Sequence, residues 1–314
     1  EDNAFALYQP EDLVYGNWGS QMNGANPKGY DPYTGVNPPN GVVMYYQLPQ
    51  PVDSVELVME VKDSASNLVR RLSSEKDDSF KEYPGGPSAD PVIPKKKGIN
   101  RFVWNTRYPT MVGAPSAYME GSFNGHKAPP GTYTMTLKYG GKELKSSFKI
   151  LPSPLYKIDI ATYNEHSTFM LQMEKALSDM HTKVNAILKM RQQIEDALKH
   201  MGEEASYAAL KKEGKALVEK MRLWDEDMVQ RRSKTYDDVE NFPNKFTANY
   251  LFLINQTDSS IPRVNPSSRD QLAKLTTEWN ALDARAKEII ETDVPAYTRK
   301  LWDAGIGAVW VGGK

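Results

Sequence analysis

The sequence predicts a multidomain β + α protein in which an immunoglobulin- or fibronectin-like β-sandwich is followed by an antiparallel helical bundle. Between residues 42 and 152, apolar residues alternate with a period of two in short runs separated by glycine and proline, which is typical of a sandwich. Between residues 157 and 304 they recur every three or four positions, as on one face of a helix. A chain of 314 residues can bury two separate cores.

The first 41 residues are expected to form an extended connector. Six glycines, five prolines and six asparagines resist regular structure. Large aromatic residues without a burying periodicity suit docking into a preformed surface, whereas a disordered tail is the alternative. The candidate interaction residues of this segment are Tyr8, Tyr15, Trp18, Tyr30 and Tyr33. The chain opens on this segment, which lacks the pattern that marks the start of a domain, so a further region upstream is expected.

The sandwich prediction places strands at 42–48, 55–61, 67–73, 100–104, 131–139 and 143–150. The pair Gly140 and Gly141 predicts a tight hairpin between the last two strands. Two inserts, 74–98 and 109–128, interrupt the pattern, and connections of that length are either functional or loosely ordered.

The stretch "GINRFVWNTRYP" raises the question whether its aromatic residues bind a ligand or fill a core. Strand alternation puts Phe102 and Trp104 on one face, and exposing both would forfeit a few kcal/mol of burial, so we expect a structural strand. Arg107 and Tyr108 follow the strand. They are expected to connect the sandwich to the connector or the bundle, with ligand contact as the alternative.

The helical part predicts a first long helix from about residue 162 to Gly202, a second through 210–228 and a short one at 246–254. A last long helix starts near residue 269, and Pro295 should bend or interrupt it. Residues 305–314 are expected to form a tail that docks through Ile306, Val309 and Trp310. The bundle, residues 157–304, is expected to fold without the sandwich.

Composition excludes several functions. The chain has no cysteine, which removes thiol catalysis, thiolate metal sites and disulfides, and 39 basic against 40 acidic residues imply no nucleic-acid-binding face. No apolar run reaches the ~18 residues that a membrane helix requires. Nucleophile-elbow, phosphate-loop and dinucleotide motifs are absent. We therefore expect no catalytic residue, no cofactor and no metal.

The histidines and the paired carboxylates are the remaining candidates for a metal or catalytic site. His166, His181 and His200 lie too far apart on the predicted helix for a zinc pair, and exposed positions are expected for them. His126 falls in a loop. The acidic pairs stand in polar contexts where no desolvation is expected: Asp77 with Asp78, Asp225 with Asp227, and Asp237 with Asp238.

The order of "NPPNGVVMYYQL", "GINRFVWNTRYP", "APPGTYTMTLKYGGKELKSSFKIL", "NFPNKFTANYLFL" and "TDVPAYTRKLWDAG" resembles the C-terminal region of exported bacterial β-propeller proteins of the sortilin-like, BNR-repeat type. The resemblance implies a sandwich and a helical tail behind a propeller that this chain lacks, with residues 1–41 as the propeller's exit segment. It implies a periplasmic, cell-surface or secreted location. No catalytic motif of the family maps onto these positions.

The favoured function is a non-catalytic interaction and assembly module that holds a protein partner, an upstream or separate β-propeller. The alternative is a carbohydrate-binding accessory region of a polysaccharide-degrading protein, which would show a coplanar row of exposed aromatic residues. A hydrolase that uses carboxylates of the two inserts is the remaining hypothesis, and it needs a deep cleft.

Overall fold

A computed structural model describes residues 4–16, 38–202, 204–258 and 261–307 of the chain. Strands occupy the first half of these residues and helices the second, so the predicted β + α class is confirmed. The strands are β1 (Ala6–Leu7), β2 (Leu13–Val14), β3 (Val42–Leu48), β4 (Val58–Lys62), β5 (Leu68–Ser73), β6 (Gly98–Trp104), β7 (Gly131–Tyr139) and β8 (Lys142–Leu151). The α-helices are α1 (Ile160–His200), α2 (Ala208–Met228), α3 (Asp238–Asn241), α4 (Phe246–Thr257), α5 (Pro266–Glu288) and α6 (Val294–Asp303).

The strands form two sheets. One has three strands in the order β1-β3-β6, and the other has five in the order β2-β8-β7-β4-β5. β3 and β7 have the predicted bounds, and β7 and β8 form the predicted hairpin, in which Gly140 and Gly141 both take positive φ angles of 55° and 77°. Inward side chains of both sheets belong to one hydrophobic core, which includes Met44, Tyr46, Met59, Trp104, Met135 and Phe148.

The described part of the predicted connector belongs to this chain's own sheets. β1 pairs with β3 and β2 pairs with β8, and the Tyr15 amide donates to the Leu151 carbonyl at 2.7 Å. The side chains of Leu7, Leu13 and Tyr15 pack on the core of the sheets. Residues 4–16 therefore complete this chain's own sheets, whereas the sequence predicted an extended connector over residues 1–41.

Local capping sets the helix bounds. α1 begins two residues before the predicted position because the Asp159 side chain accepts a hydrogen bond from the Thr162 amide. α5 begins three residues early, since Asn265 caps it in the same way and Pro266 stands in its first turn. The predicted interruption before Pro295 is confirmed: a π-helical turn (Ile289–Asp293) separates α5 from α6.

The second insert packs with the helices rather than lying free on the sheets. Five of its side chains belong to the helical core: Met111, Ala114, Ala117, Met119 and Phe123. Its backbone also accepts hydrogen bonds from this part of the chain: the Gly113 carbonyl accepts from Asn185 of α1 at 2.9 Å, and the Pro115 carbonyl accepts from Arg231, which follows α2, at 2.6 Å. The sheets and the helices are therefore joined by a segment that contributes to the helical core.

The described helices include none that combines the length and the apolar character needed to cross a membrane.

Candidate interaction site

Arg107 connects the sheets to the helices, as the sequence predicted. The chain turns sharply after β6 because Thr106 takes a left-handed conformation with φ 62°, which is costly for a β-branched residue. The turn directs the Arg107 guanidinium to the Asp258 carboxylate at 2.9 Å and to the Gly125 carbonyl at 2.6 Å. Asp258 directly follows α4, so this ion pair links the two parts of the chain.

Tyr108 covers a buried polar network. Its ring stacks on the His126 imidazole with centroids 4.5 Å apart. His126 Nδ1 lies 3.0 Å from Glu174 Oε1, and His126 Nε2 lies 2.8 Å from Ser167 Oγ. Serine, histidine and an acidic residue are hydrogen-bonded in this same succession in hydrolytic triads. Here all three residues are at most 6% exposed, so a substrate does not reach the serine, and the network holds the second insert against α1.

Two of the helix histidines are buried, which corrects the expectation of exposed positions. His166 Nε2 bonds the Thr257 carbonyl at 2.9 Å, and His181 Nδ1 bonds the Val112 carbonyl at 2.6 Å. Burial lowers the pKa of both, that of His181 to about 4. The missed signal was spacing, because His166 stands four residues before the buried Met170 on the apolar seam of α1. His200 is exposed as expected.

In the acidic pair of α2, Asp225 is buried and Asp227 is exposed. Asp225 is 2% exposed, and both of its oxygens accept from the Arg231 guanidinium at 2.7 Å. The expectation that this carboxylate is solvated was wrong, because Asp225 faces the second insert across Arg231. Asp227, on the exposed side, pairs with Arg285.

Tyr15 also lies at the junction, in contact with the helices. Its ring meets the Tyr163 ring edge-on at 5.2 Å, and burial raises the pKa of its phenol. Nearby, the Lys127 ammonium donates to the Gly16 carbonyl, and burial, reinforced by Arg107, lowers the pKa of that lysine to about 8. Tyr15, Arg107 and Tyr108 thus all make contacts within this chain. Trp18, Tyr30 and Tyr33 lie outside the described residues.

Tyr8 lies apart from the junction, on the outer face of the three-stranded sheet. Its amide donates to the Tyr45 carbonyl, and Tyr45 is paired with Arg101, so these three residues form one row across the sheet. The next row is Ala6, Gln47 and Ile99. Tyr8 and Tyr45 are each 43% exposed and Ile99 is 68% exposed. We call these two rows the outer face.

A cleft of about 1000 Å³ opens between the two inserts. Its lining mixes charged, hydroxyl and aromatic side chains, among them Arg71, Lys76, Ser79, Phe80, Glu82, Tyr83, Asp90 and Thr110. The inserts interlock through two close approaches. Tyr83 of the first insert packs on Gly113 of the second, and Tyr118 of the second packs on Gly85 of the first. The first insert is thus packed directly against the second beside the cleft.

The cleft carboxylates with perturbed titration do not resemble a general acid. A hydrogen bond from the Ser73 hydroxyl lowers the pKa of Glu56, and hydrogen bonds from Ser79 lower the pKa of Asp77. A general acid that works near neutral pH needs the opposite shift. These two groups are therefore suited to accepting hydrogen bonds.

Comparisons of the chain with protein-family models, with curated proteins and with solved structures found no match. The resemblance to propeller-associated proteins rests on the order of the sequence motifs.

Proposed function

We propose that this chain is a non-catalytic interaction module that holds a protein partner on the outer face. The two sheets serve as an immunoglobulin-like sandwich and the helices as an antiparallel bundle that braces it. The observation that carries the proposal is the exposure of Tyr8, Tyr45 and Ile99 in adjoining rows of one sheet. The solvent-facing side of a sheet ordinarily carries polar residues, whereas this one also exposes two aromatic residues and one aliphatic residue.

The chemistry of the outer face favours a protein over a glycan. Tyrosine supplies a large contact area at low entropic cost, and tyrosine and arginine are enriched among residues that dominate binding energy. Tyr8, Tyr45 and Arg101 stand together here. Within the part of the chain that the structure describes, this face has two exposed aromatic rings, whereas a glycan platform calls for a coplanar row. The motif order points to a β-propeller as the partner, in an exported protein.

Native material tests this proposal. We expect the chain purified from its source under mild conditions to carry a stoichiometric propeller, joined covalently or bound. Amine-reactive cross-links to that partner should start from Lys96 and Lys97, which directly precede β6. Lys211 and Lys212 on α2 serve as the internal control. Cross-links from α2 with none from Lys96 or Lys97 would contradict the proposed surface.

The cleft favours a second candidate function, carbohydrate binding. Its Phe80 ring offers an apolar surface, and Glu56 and Asp77 offer hydrogen-bond acceptors, as sugar hydroxyls require. A panel of neutral tetrasaccharides should then bind with an affinity that Phe80→Ala lowers by about tenfold. Phe242→Ala, on a residue that does not line the cleft, is the matched control. Equal affinities in the two variants would remove this candidate.

A further inference from the structure

Among the described residues, β6 is the outermost strand of the three-stranded sheet. The sheet order is β1-β3-β6, and β6 pairs with β3 over all seven of its residues. On its other side β6 pairs with no strand among residues 4–16, 38–202, 204–258 and 261–307. A free edge of this length is a template for an added strand.

The register shows which backbone groups of β6 face the free edge. The Tyr45 carbonyl accepts from Tyr8 on the β1 side, so the backbone groups of Tyr46 point the other way, toward Asn100 of β6. Backbone direction alternates along a strand. The amides and carbonyls of Ile99, Arg101 and Val103 therefore point outward, and no hydrogen bond connects these groups to any residue that the structure describes.

Positive charge surrounds this edge. Lys95, the first of three consecutive lysines, bonds within the chain, since its ammonium donates to the carbonyls of Asp53 and Val55. By contrast Lys96, Lys97 and Arg101 are exposed and form no ion pair with the described part of the chain. The Asn100 side chain accepts from the Lys96 amide and donates to the Lys96 carbonyl, which fixes the first of these lysines beside the strand.

We infer that β6 takes up an extended acidic segment of the protein partner as an additional strand. The inference rests on the proposed function and specifies how the partner is held. Main-chain hydrogen bonds to Ile99, Arg101 and Val103 supply affinity, and carboxylates opposite Arg101 and the two lysines supply specificity. A second copy of this chain is disfavoured as the occupant, because antiparallel pairing of two β6 edges would bring their cations together.

A defined peptide tests the inference without the native partner. The probe is a fluorescent seven-residue peptide of alternating glutamate and valine, and its matched control carries lysine in place of glutamate. We expect the acidic peptide to bind and to slow amide exchange at Ile99, Arg101 and Val103. The basic peptide should bind at least about tenfold more weakly.

Two substitutions at one position separate the backbone contact from the charge. Arg101→Ala removes the charge and keeps the outward N–H group, whereas Arg101→Pro removes both without breaking a bond to β3. We expect Arg101→Pro to weaken binding by about tenfold more than Arg101→Ala. N-methylation of alternate peptide amides gives a readout independent of protein folding: one set of methylated amides should abolish binding, and the other should leave it unchanged.

The inference is overturned if the acidic peptide does not bind at millimolar concentration, or if it binds with unchanged amide exchange at the three β6 positions. Equal effects of the two methylation sets would also overturn it. A different result would contradict the proposed function alone: the peptide adds to β6, but native material gives no cross-links to the partner from Lys96 or Lys97. Cross-links from Lys96 and Lys97 without peptide addition to β6 would support the outer face as the docking surface but would refute the added strand.

Discussion

Trp104 is the largest side chain in the core between the sheets and is 1% exposed. Its ring meets the Tyr133 and Phe148 rings edge-on at 6.4 and 6.3 Å, and its indole nitrogen donates to the Arg107 carbonyl. Truncation would leave a cavity and an unpaired carbonyl. We expect Trp104→Ala to lower the free energy of unfolding by about 3–5 kcal/mol.

Denaturant unfolding measures this effect. Phe102→Ala is the control, because Phe102 is only half-buried on the same strand and should cost less. A loss below about 1 kcal/mol for Trp104→Ala would mean that the ring is exposed in solution. The aromatic residues of this strand would then be candidates for ligand binding.

His181 predicts a stability that depends on pH. Because burial lowers the pKa of the folded-state imidazole from 6.5 to about 4, the unfolded chain binds the proton more readily. The contribution of His181 is therefore fully present above pH 6.5 and is lost as the pH falls toward 4. The loss amounts to about 3 kcal/mol at most.

The measurement is the free energy of unfolding between neutral pH and pH 4 for the native chain, for His181→Gln and for His200→Gln. His181→Gln should flatten the decline, and the exposed His200 should not affect it. If the native chain and His181→Gln decline in parallel, the imidazole is not buried in neutral form.

At the scale of elements, the contact between Tyr83 and Gly113 holds the first insert in place. A methyl group at position 113 would stand 2.2 Å from the Tyr83 oxygen and 2.4 Å from Pro87 Cδ. We expect Gly113→Ala to cost about 1–3 kcal/mol through overpacking and to make the first insert more sensitive to proteases. Gly202→Ala is the matched control, because its added methyl group meets nothing within 4 Å. Equal protease sensitivity of both variants would show that the inserts do not interlock.

The elements that the sequence predicted well are long compared with the period of their apolar residues. β3, β7, α1 and α5 repeat their apolar spacing often enough to reveal both type and extent. β1 and β2 have two residues each, too few for any period, and only their pairing partners define them as strands.

The sites were less predictable than the elements. The aromatic content of the first segment drew attention to Tyr8, but Tyr45 and Ile99 became part of the same surface only through the pairing of β3 with β6. The cleft likewise joins two inserts that are distant in sequence. Residues brought together by long-range pairing carry no local signal of their proximity.

At the scale of the whole molecule, the second insert makes the helices dependent on the sheets. A fragment of residues 157–307 would lack Met111, Met119 and Phe123 from its core and would leave Glu174 without His126. We expect this fragment to remain helical but to melt at a lower temperature and less cooperatively than the full chain, contrary to independent folding. Circular dichroism melting measures this. A fragment as stable as the full chain would show that the insert adds nothing to the helical core.

The most direct test of the central claim is the affinity of the chain for its co-purified partner when the outer face is altered. Tyr45→Glu places a negative charge in the middle of that face, whereas Trp302→Glu alters another exposed aromatic residue, 69% exposed on α6. We expect Tyr45→Glu to weaken binding by at least about tenfold and Trp302→Glu to leave it unchanged. Unchanged affinity for Tyr45→Glu together with a loss for Trp302→Glu would place the partner on the helices and contradict the outer face as the interaction site.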